Sequence, residues 1–308
     1  MDINPHLNRR GALQLAAATL LATTTGARAV QPRPSFASTT KALADLERRS
    51  GGRLGVGLLD TATGQTTGHR QGERFAMCST FKMPLAAAIL REIDQGRLRA
   101  DQWVAYGKAD LVAHAPATTQ NLAHGGMTVH ALAEAAQTIS DNPAANLLLK
   151  LIGGPAGFTS ILRTIGDTTT RLDRYEPDIN GVTGQDLRDT TTPAAMARTA
   201  AHLLTTDWLS AGARDTLTAW MVATTTGSLR LRAGLPGDWR AGDKTGTGGA
   251  PQLHDKYNDI AIAWPPGKAP IVITAFLETR ASHANMRDED QAVLAEVGRI
   301  ATAWSRSL

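Results

Sequence analysis

Residues 53–69 read RLGVGLLDTATGQTTGH. Arg53 to Asp60 and Thr66 to His69 flank a turn signal at Ala62-Thr63-Gly64, the pattern of a β-hairpin. Strand signals then vanish for most of the chain and return at Arg240–Thr245, Asp259–Trp264 and Ile271–Glu278. The interval is helical in its spacing. Apolar residues recur at helical period from Ser79 to Gln95, with Gly96 as a stop, and further helices are expected over 128–139, 142–152, 155–165, 192–204 and about 211–223. A short helix at Lys41–Ser50, with Leu43 and Leu46 on one face, precedes the hairpin, and a helix from about Asp288 to Trp304 closes the chain. Strand-rich, then helical, then strand-rich implies a sheet built from both chain ends with a helical domain inserted. The expectation is an α/β domain over 39–73 plus 222–308 and an all-α domain over 74–221. The latter includes a long polar loop at 171–189, and structureless segments of that length inside a compact domain usually carry function.

Composition narrows the classes. The chain has 308 residues, enough for one or two domains, and 42% hydrophobic residues, enough for a full core. Its 32 basic and 28 acidic residues are scattered without a basic stripe, which argues against nucleic acid as a partner. The expected partner is a small molecule, with no nucleic acid and no membrane, and the expected state is a monomer. No apolar run reaches the ~20 residues of a membrane span. Cys78 is the single cysteine, so neither a disulfide framework nor a Cys-built metal site is available. Arg9-Arg10, an apolar stretch from Gly11 to Ala22, and Ala27-Arg28-Ala29 follow the order of a secretory signal peptide over 1–29. The paired arginines suit the twin-arginine route, with the Sec route as the alternative. Residues 30–38 read as a tether, and Cys78, alone in an oxidising periplasm, is expected to be buried or shielded.

Four short segments could carry chemistry. Ser79-Thr80-Phe81-Lys82 starts a predicted helix, so serine and lysine share a face one turn apart. A serine hydroxyl needs a neighbouring base to become a nucleophile, and a desolvated amine can serve. Ser140-Asp141-Asn142 precedes Pro143, where a proton-relaying hydroxyl and a carbonyl-binding amide would stand together. In the long loop, Tyr175-Glu176-Pro177-Asp178-Ile179-Asn180 offers a carboxylate to deprotonate a water and an amide to hold it. Arg174 and Asp189 bracket that loop with opposite charges, so a pair between them would close its neck. Lys244-Thr245-Gly246-Thr247 lies on a predicted strand, with a cation for a substrate carboxylate and a glycine permitting close backbone approach. Each segment alone has a bland reading: a helix cap with a surface lysine, a cap before a proline, a solvated loop, a strand ending in a turn. Their order along one chain makes coincidence improbable.

The set resembles the class A serine β-lactamases, whose signatures include S-x-x-K, S-D-N and K-T-G. The resemblance spans nearly all of residues 40–308, including Arg171–Asn180 and the stretch from Asp189 to Met196. It implies an antiparallel sheet flanked by helices, a β-lactamase/transpeptidase-like fold, and no cofactor or metal. It also implies hydrolysis of penicillins and cephalosporins. Ser79 is then the acylated nucleophile, Lys82 a base or proton shuttle, Ser140 the donor to the departing nitrogen, and Glu176 the residue that activates the deacylating water with Asn180. Asn142 is expected to bind the substrate's acylamino group. The N–H groups of Ser79 and Thr247 form the oxyanion hole, and Lys244, Thr245, Gly246 and Thr247 meet the substrate carboxylate. Arg230 falls where some members carry a further arginine for that carboxylate, and His114 where an aromatic often lines the rim. Carbapenem-hydrolysing members often pair a cysteine at the Cys78 position with one after K-T-G; here that position is Gly248, which excludes the bridge. The stretch from Gly248 to Asn258 is longer than expected and should reshape the cleft edge, and Pro84 inside the nucleophile's helix removes a backbone donor.

Two other readings share part of the pattern. Penicillin-binding D-Ala-D-Ala peptidases share the serine, lysine and K-T-G elements but lack the deacylating carboxylate, and a non-hydrolysing β-lactam or muropeptide sensor would need a signalling partner. Glu176 in its E-P-x-x-N setting favours hydrolysis. No H-E-x-x-H motif supports a metallohydrolase.

Overall fold

The structure, a computed structural model, describes residues 36–249 and 253–308. The leader expected over 1–29 and the first part of the 30–38 tether lie outside them. The chain opens with α1 (Phe36–Ser50), β1 (Arg53–Asp60), β2 (Thr66–His69) and a short β3 (Phe75–Ala76), then a 3₁₀ turn (Cys78–Phe81) running into α2 (Lys82–Asp94). There follow β4 (Trp103–Ala105), α3 (Pro116–Gln120), β5 (Gly126–Thr128), α4 (Val129–Thr138), α5 (Asn142–Leu151) and α6 (Gly154–Thr164). After the long loop come β6 (Thr190–Thr191), α7 (Pro193–Thr205) and α8 (Ala211–Ala223), and then β7 (Arg240–Gly248), β8 (Lys256–Trp264), β9 (Ile271–Glu278) and α9 (Asp288–Ser307).

The principal sheet runs β2-β1-β9-β8-β7, antiparallel throughout. The N-terminal hairpin joins the C-terminal meander through β1 and β9, from Arg53↔Glu278 to Asp60↔Ile271. That pairing is what the two separated groups of strand signals require. On one face Leu54, Val56 and Leu58 pack with Leu43 and Leu46 of α1 and with Leu294, Val297 and Trp304 of α9. Full burial of each such leucine or valine contributes about 1.5–3 kcal/mol. The alternate positions of β1 are Gly55 and Gly57, and they let the helical layer come close. A Cβ on Gly55 would lie 2.3 Å from the Phe75 ring, and one on Gly57 2.8 Å from the Pro193 carbonyl oxygen at the start of α7. On that side Phe75, Phe276, Ile260 and Ile262 meet α2, α4, α5, α7 and α8 in one larger core. Residues Met83 to Leu90 of α2 are buried all round, as expected for a central helix.

The boundaries differ from the sequence reading in three instructive places. α1 starts at Phe36, inside the expected tether, because Thr39 is buried on the same face as Leu43 and Leu46 and lengthens the apolar stripe. The helix expected from Ser79 begins as a 3₁₀ turn, and α2 proper starts at Lys82. Pro84 therefore lies in the first turn of α2, where proline is tolerated in place of a residue with a backbone donor. β7 and β8 run on toward each other, pairing as far as Gly248↔Lys256. The two strands thus claim Gly248 and Lys256–Asn258 of the long 248–258 stretch, and residues 249–255 are left to connect them.

Candidate active site

Ser79 sits on the 3₁₀ turn, pressed against the edge strand β7. A Cβ on Gly246 would lie 2.7 Å from the Met77 carbonyl oxygen and 3.1 Å from the Thr80 nitrogen, so only glycine allows strand and turn to approach this closely. The Asn258 amide on β8 fastens the same turn, donating to the carbonyls of Ala76 (2.8 Å) and Met77 (3.1 Å).

Lys82 reaches back one turn and donates from Nζ to Ser79 Oγ at 3.0 Å. The same ammonium donates to the Ser140 carbonyl at 2.8 Å and to Asn142 Oδ1, and lies 3.2 Å from Glu176 Oε1. Ser79 Oγ itself donates to Glu176 Oε1 at 3.2 Å. Neither Lys82 nor Glu176 exposes any side-chain surface. Burial pushes the Lys82 pKa down, partly offset by the charge and hydrogen bond of Glu176. A buried amine beside a serine hydroxyl, with its pKa depressed, is suited to take that hydroxyl's proton.

Ser140 adopts a left-handed φ of 62°, just before the Asp141 cap of α5. The Asp141 carboxylate is fully committed to that cap and to the amides of Ala117 and Thr118, which holds Ser140 and Asn142 at the cleft. Lys244 Nζ donates to Ser140 Oγ at 3.0 Å and to the Thr245 carbonyl at 2.7 Å. Burial, and then the charge of Lys82, push the Lys244 pKa well down. Asn142 donates one amide hydrogen to the Ala113 carbonyl at 2.8 Å, which leaves its second for a ligand.

The long loop closes as its charges imply: Arg174 Nε donates to Asp189 Oδ2 at 2.5 Å, and Asp189 Oδ1 accepts from the amides of Asp173 and Arg174. Glu176 is held on both sides. The backbone of Glu176 exchanges two hydrogen bonds of 2.9 Å with the side chain of Asn146 on α5, and its Oε2 accepts from Asn180 Nδ2 at 2.9 Å. Among the described residues Asn180 Oδ1 is buried with no partner, an acceptor facing the same space.

Arg230 is almost wholly buried. It donates to the carbonyls of Gly246 (2.9 Å) and Asn258 (2.8 Å) and to Thr247 Oγ1 at 2.6 Å. Thr245 Oγ1 shares a 2.6 Å hydrogen bond with Thr226. His114 is exposed at the rim with φ 61°, one ring nitrogen 2.9 Å from the Ile139 carbonyl. Cys78, its thiol pushed up to about 12 by burial, is free and lies directly under Gly248.

A cavity of about 320 Å³ unites these groups. It is lined by Ser79, His114, Ser140, Asn142, Asn180, Thr226, Arg230, Thr245, Thr247 and Met286. Lys82, Glu176, Lys244 and Gly246 stand immediately behind that lining, so the residues singled out in the sequence converge on one place. A neighbouring cavity of about 470 Å³ shares Thr247 and Met286 and extends past Gly249 to Asp255 and His283. Asn146, Thr226 and Met286 join the site without having stood out in the sequence. Asn146 has a usable signal: it lies one turn after Asn142 on α5, on the side facing the loop.

The chain matches known proteins along nearly all of this fold. The model of the Beta-lactamase enzyme family matches residues 38–305. Beta-lactamase AST-1 of Nocardia asteroides is 49% identical over 267 residues, 85% of this chain and 84% of that protein. Beta-lactamase L2 of Stenotrophomonas maltophilia is 45% identical, covering 96% of this chain and 98% of its own. Among solved structures, an ancestral class A β-lactamase superposes with a TM-score of 0.80 at 56% identity, over 85% of this chain and 98% of that one. A β-lactamase from Burkholderia vietnamiensis gives 0.81 at 45% identity, over 87% and 97%.

Proposed function

Because this chain belongs to the class A β-lactamases, hydrolases that open the β-lactam amide, we propose that its reaction runs through an acyl-enzyme on Ser79 that Glu176 helps to hydrolyse. The observation that carries this reading is the hydrogen-bonded group Lys82–Ser79–Glu176, closed to solvent behind the nucleophile.

Ser79 Oγ attacks the β-lactam carbonyl while its proton passes to Lys82 or Glu176, both within 3.2 Å. The developing oxyanion is met by the N–H groups of Ser79 and Thr247, which border one cavity from the turn and from the edge strand. Ser140, linked to Lys82 through its carbonyl and to Lys244 through its hydroxyl, passes a proton to the departing ring nitrogen. The carbon skeleton stays attached to Ser79 until water attacks the ester. Glu176 removes that water's proton, and the unpartnered Asn180 Oδ1 is the second acceptor that orients it.

Lys244, Thr245, Thr247 and Arg230 form the cationic and hydroxyl-bearing end of the cavity, where a substrate carboxylate is held. Asn142 gives its free amide hydrogen to the acylamino group, and His114 stands at the entrance. No single helix among the described residues is long and apolar enough to cross a membrane. Export to the periplasm through the leader at 1–29, and a monomeric state, belong to the same proposal.

The test is time-resolved mass spectrometry of the mature protein with benzylpenicillin, beside a chromogenic cephalosporin assay. A fleeting adduct on Ser79 with rapid turnover is expected. A stable stoichiometric adduct without turnover would overturn the role given to Glu176.

A further inference from the structure

Behind β7, on the face away from Lys244, two carboxyl groups are buried against each other. Asp243 and Asp259 both have no exposed surface and lie within hydrogen-bonding reach of one another. Their placement follows from register: Asp243 pairs with Ala261, two residues along β8 from Asp259, so both side chains rise from the same face of adjacent strands. As two carboxylates they would be like charges with only acceptors between them. Among the described residues both oxygens of Asp243 and Oδ1 of Asp259 lack any hydrogen-bond donor, although Arg232 Nε stands 2.6 Å from Asp243 Oδ1. A proton between the two groups supplies the missing donor and removes one of the two charges.

The remaining contacts all lead to one short segment. Asp259 Oδ2 accepts from the Leu231 amide at 3.1 Å, and Asp243 pairs with Arg232. Arg230, immediately before them, carries its guanidinium into the cavity and onto Thr247. We propose that Asp243 and Asp259 share one proton and, as a monoanionic pair, act as positioning residues that fasten Leu231 and Arg232 and so aim Arg230 at the substrate carboxylate. The substrate half of this inference rests on the functional reading above; the shared proton does not.

The charged groups acting on the pair are Arg230 and Arg232 from the segment after α8 and, from the opposite face of β7, Lys244, with Tyr257 beside Arg230. Burial raises both carboxyl pKa values, and mutual repulsion raises that of Asp243 further, while the arginines and Lys244 oppose it. Asp259 is pushed up to about 6. Sharing one proton, the pair carries a single negative charge; burial makes it take a second proton more readily than an ordinary carboxylate as pH falls, which leaves Arg230 without its buried counter-charge.

Two measurements test this. Infrared difference spectroscopy at pH 7, without substrate, should show a protonated carboxyl band in the wild type that disappears in Asp243→Asn and in Asp259→Asn. No such band lost in either variant would overturn the shared proton, whether or not the protein hydrolyses β-lactams. In kinetics, each single Asn variant keeps one negative charge and an amide donor and should hold KM for benzylpenicillin within about threefold. The double variant, with no charge, should raise that KM about tenfold or more, the loss expected for a misplaced charged hydrogen bond. The methyl ester of benzylpenicillin, which offers no carboxylate, should be unaffected. An unchanged KM in the double variant, or an equal rise for acid and ester, would overturn the positioning role. A double variant that does not fold shifts this arm to Asp259→Asn at pH 5. There the variant, whose single carboxylate has lost its repelling neighbour, should retain about tenfold more of its neutral-pH kcat/KM for the acid than wild type does, and equal retention would overturn the role.

Discussion

Replacing Glu176 by Gln should split the two halves of the reaction. The side chain keeps its size, and an amide oxygen can still accept from Asn180 Nδ2, so the loop should stay in place. What disappears is the base that faces the deacylating water, and general-base catalysis is worth about 10²–10⁴-fold, or roughly 3–5 kcal/mol on that barrier. Acylation responds differently because Lys82 is buried beside the same carboxylate. The charge and hydrogen bond of Glu176 hold the Lys82 pKa up against burial. Without them the amine deprotonates at lower pH, so it remains a competent acceptor for the Ser79 proton at 3.0 Å, over a pH range extended on the acid side. The expected outcome is a burst of one equivalent of β-lactam followed by turnover slowed about 10²–10⁴-fold. Acid-quenched intact-mass spectra should show near-complete adduct on the peptide containing Ser79 within the burst. If both steps slow equally, or no adduct accumulates, the separation of roles between Lys82 and Glu176 is wrong.

Other perturbations follow from the same contacts. Ser79→Ala should abolish turnover and adduct formation together, and any residual hydrolysis above background in a purified sample would sink the nucleophile assignment. Gly246→Ala places a Cβ 2.7 Å from the Met77 carbonyl, forcing β7 off the nucleophile's turn. We expect kcat/KM to fall by about 10²-fold or more, since small misplacements of reacting groups cost that much; wild-type kcat/KM would refute the close fit. Gly248→Cys sets its Cβ 2.7 Å from the Cys78 sulfur, within bridging reach, so an oxidised sample should resist thiol labelling when unfolded. Glu47 is largely buried, which by itself raises its pKa, but the hydrogen bonds from Arg70, the Leu54 amide and His69 together with the Arg70 charge outweigh burial and lower it to about 2. Its contribution to stability is present above the ordinary carboxylate range and is lost as pH falls through about 2. Glu47→Gln should lower Tm by about 3 °C at pH 7, with the difference closing near pH 2; a constant gap at every pH would contradict the pairing.

How much of the molecule is legible in its sequence depends on what each residue touches. β1, β2, β9 and α8 can be bounded from the sequence because apolar period and turn residues agree there with the tertiary burial. β7 and β8 read too short because their ends carry Thr, Gly, Lys and Asn, which look like loop; all of these but the exposed Thr247 are buried in the site wall. Ser79, Lys82, Ser140, Glu176 and Lys244 are legible as candidates because each sits in a motif whose chemistry needs that spacing. Asn146 and Asp259 are not. Asn146 acts through hydrogen bonds to the backbone of a loop 30 residues away, and Asp259 through a partner on the neighbouring strand, and neither relation leaves a local pattern.

β7 shows why fold and site cannot be separated. It is an edge strand, and an exposed flat edge invites pairing with other chains. Here that edge is occupied by the molecule itself. Gln137 of α4 donates to the Asp243 carbonyl at 3.0 Å, and the turn bearing Ser79 fills the space beside Gly246. Strand alternation then divides the residues between two faces. Lys244, Gly246 and Gly248 face the nucleophile's turn, and Asp243, Thr245 and Thr247 rise on the other side. A slip of one residue in the β7–β8 register would exchange the two sets, burying Lys244 among the carboxylates and driving Asp243 toward Ser140. The ion pair of Asp243 with Arg232 and the contact between Asp243 and Asp259 are satisfied in only one register, as is the fit of Gly246 against Met77. The interactions that lock the strand in place are therefore the same ones that bring a cation, a glycine and a backbone N–H to the cavity beside Ser79.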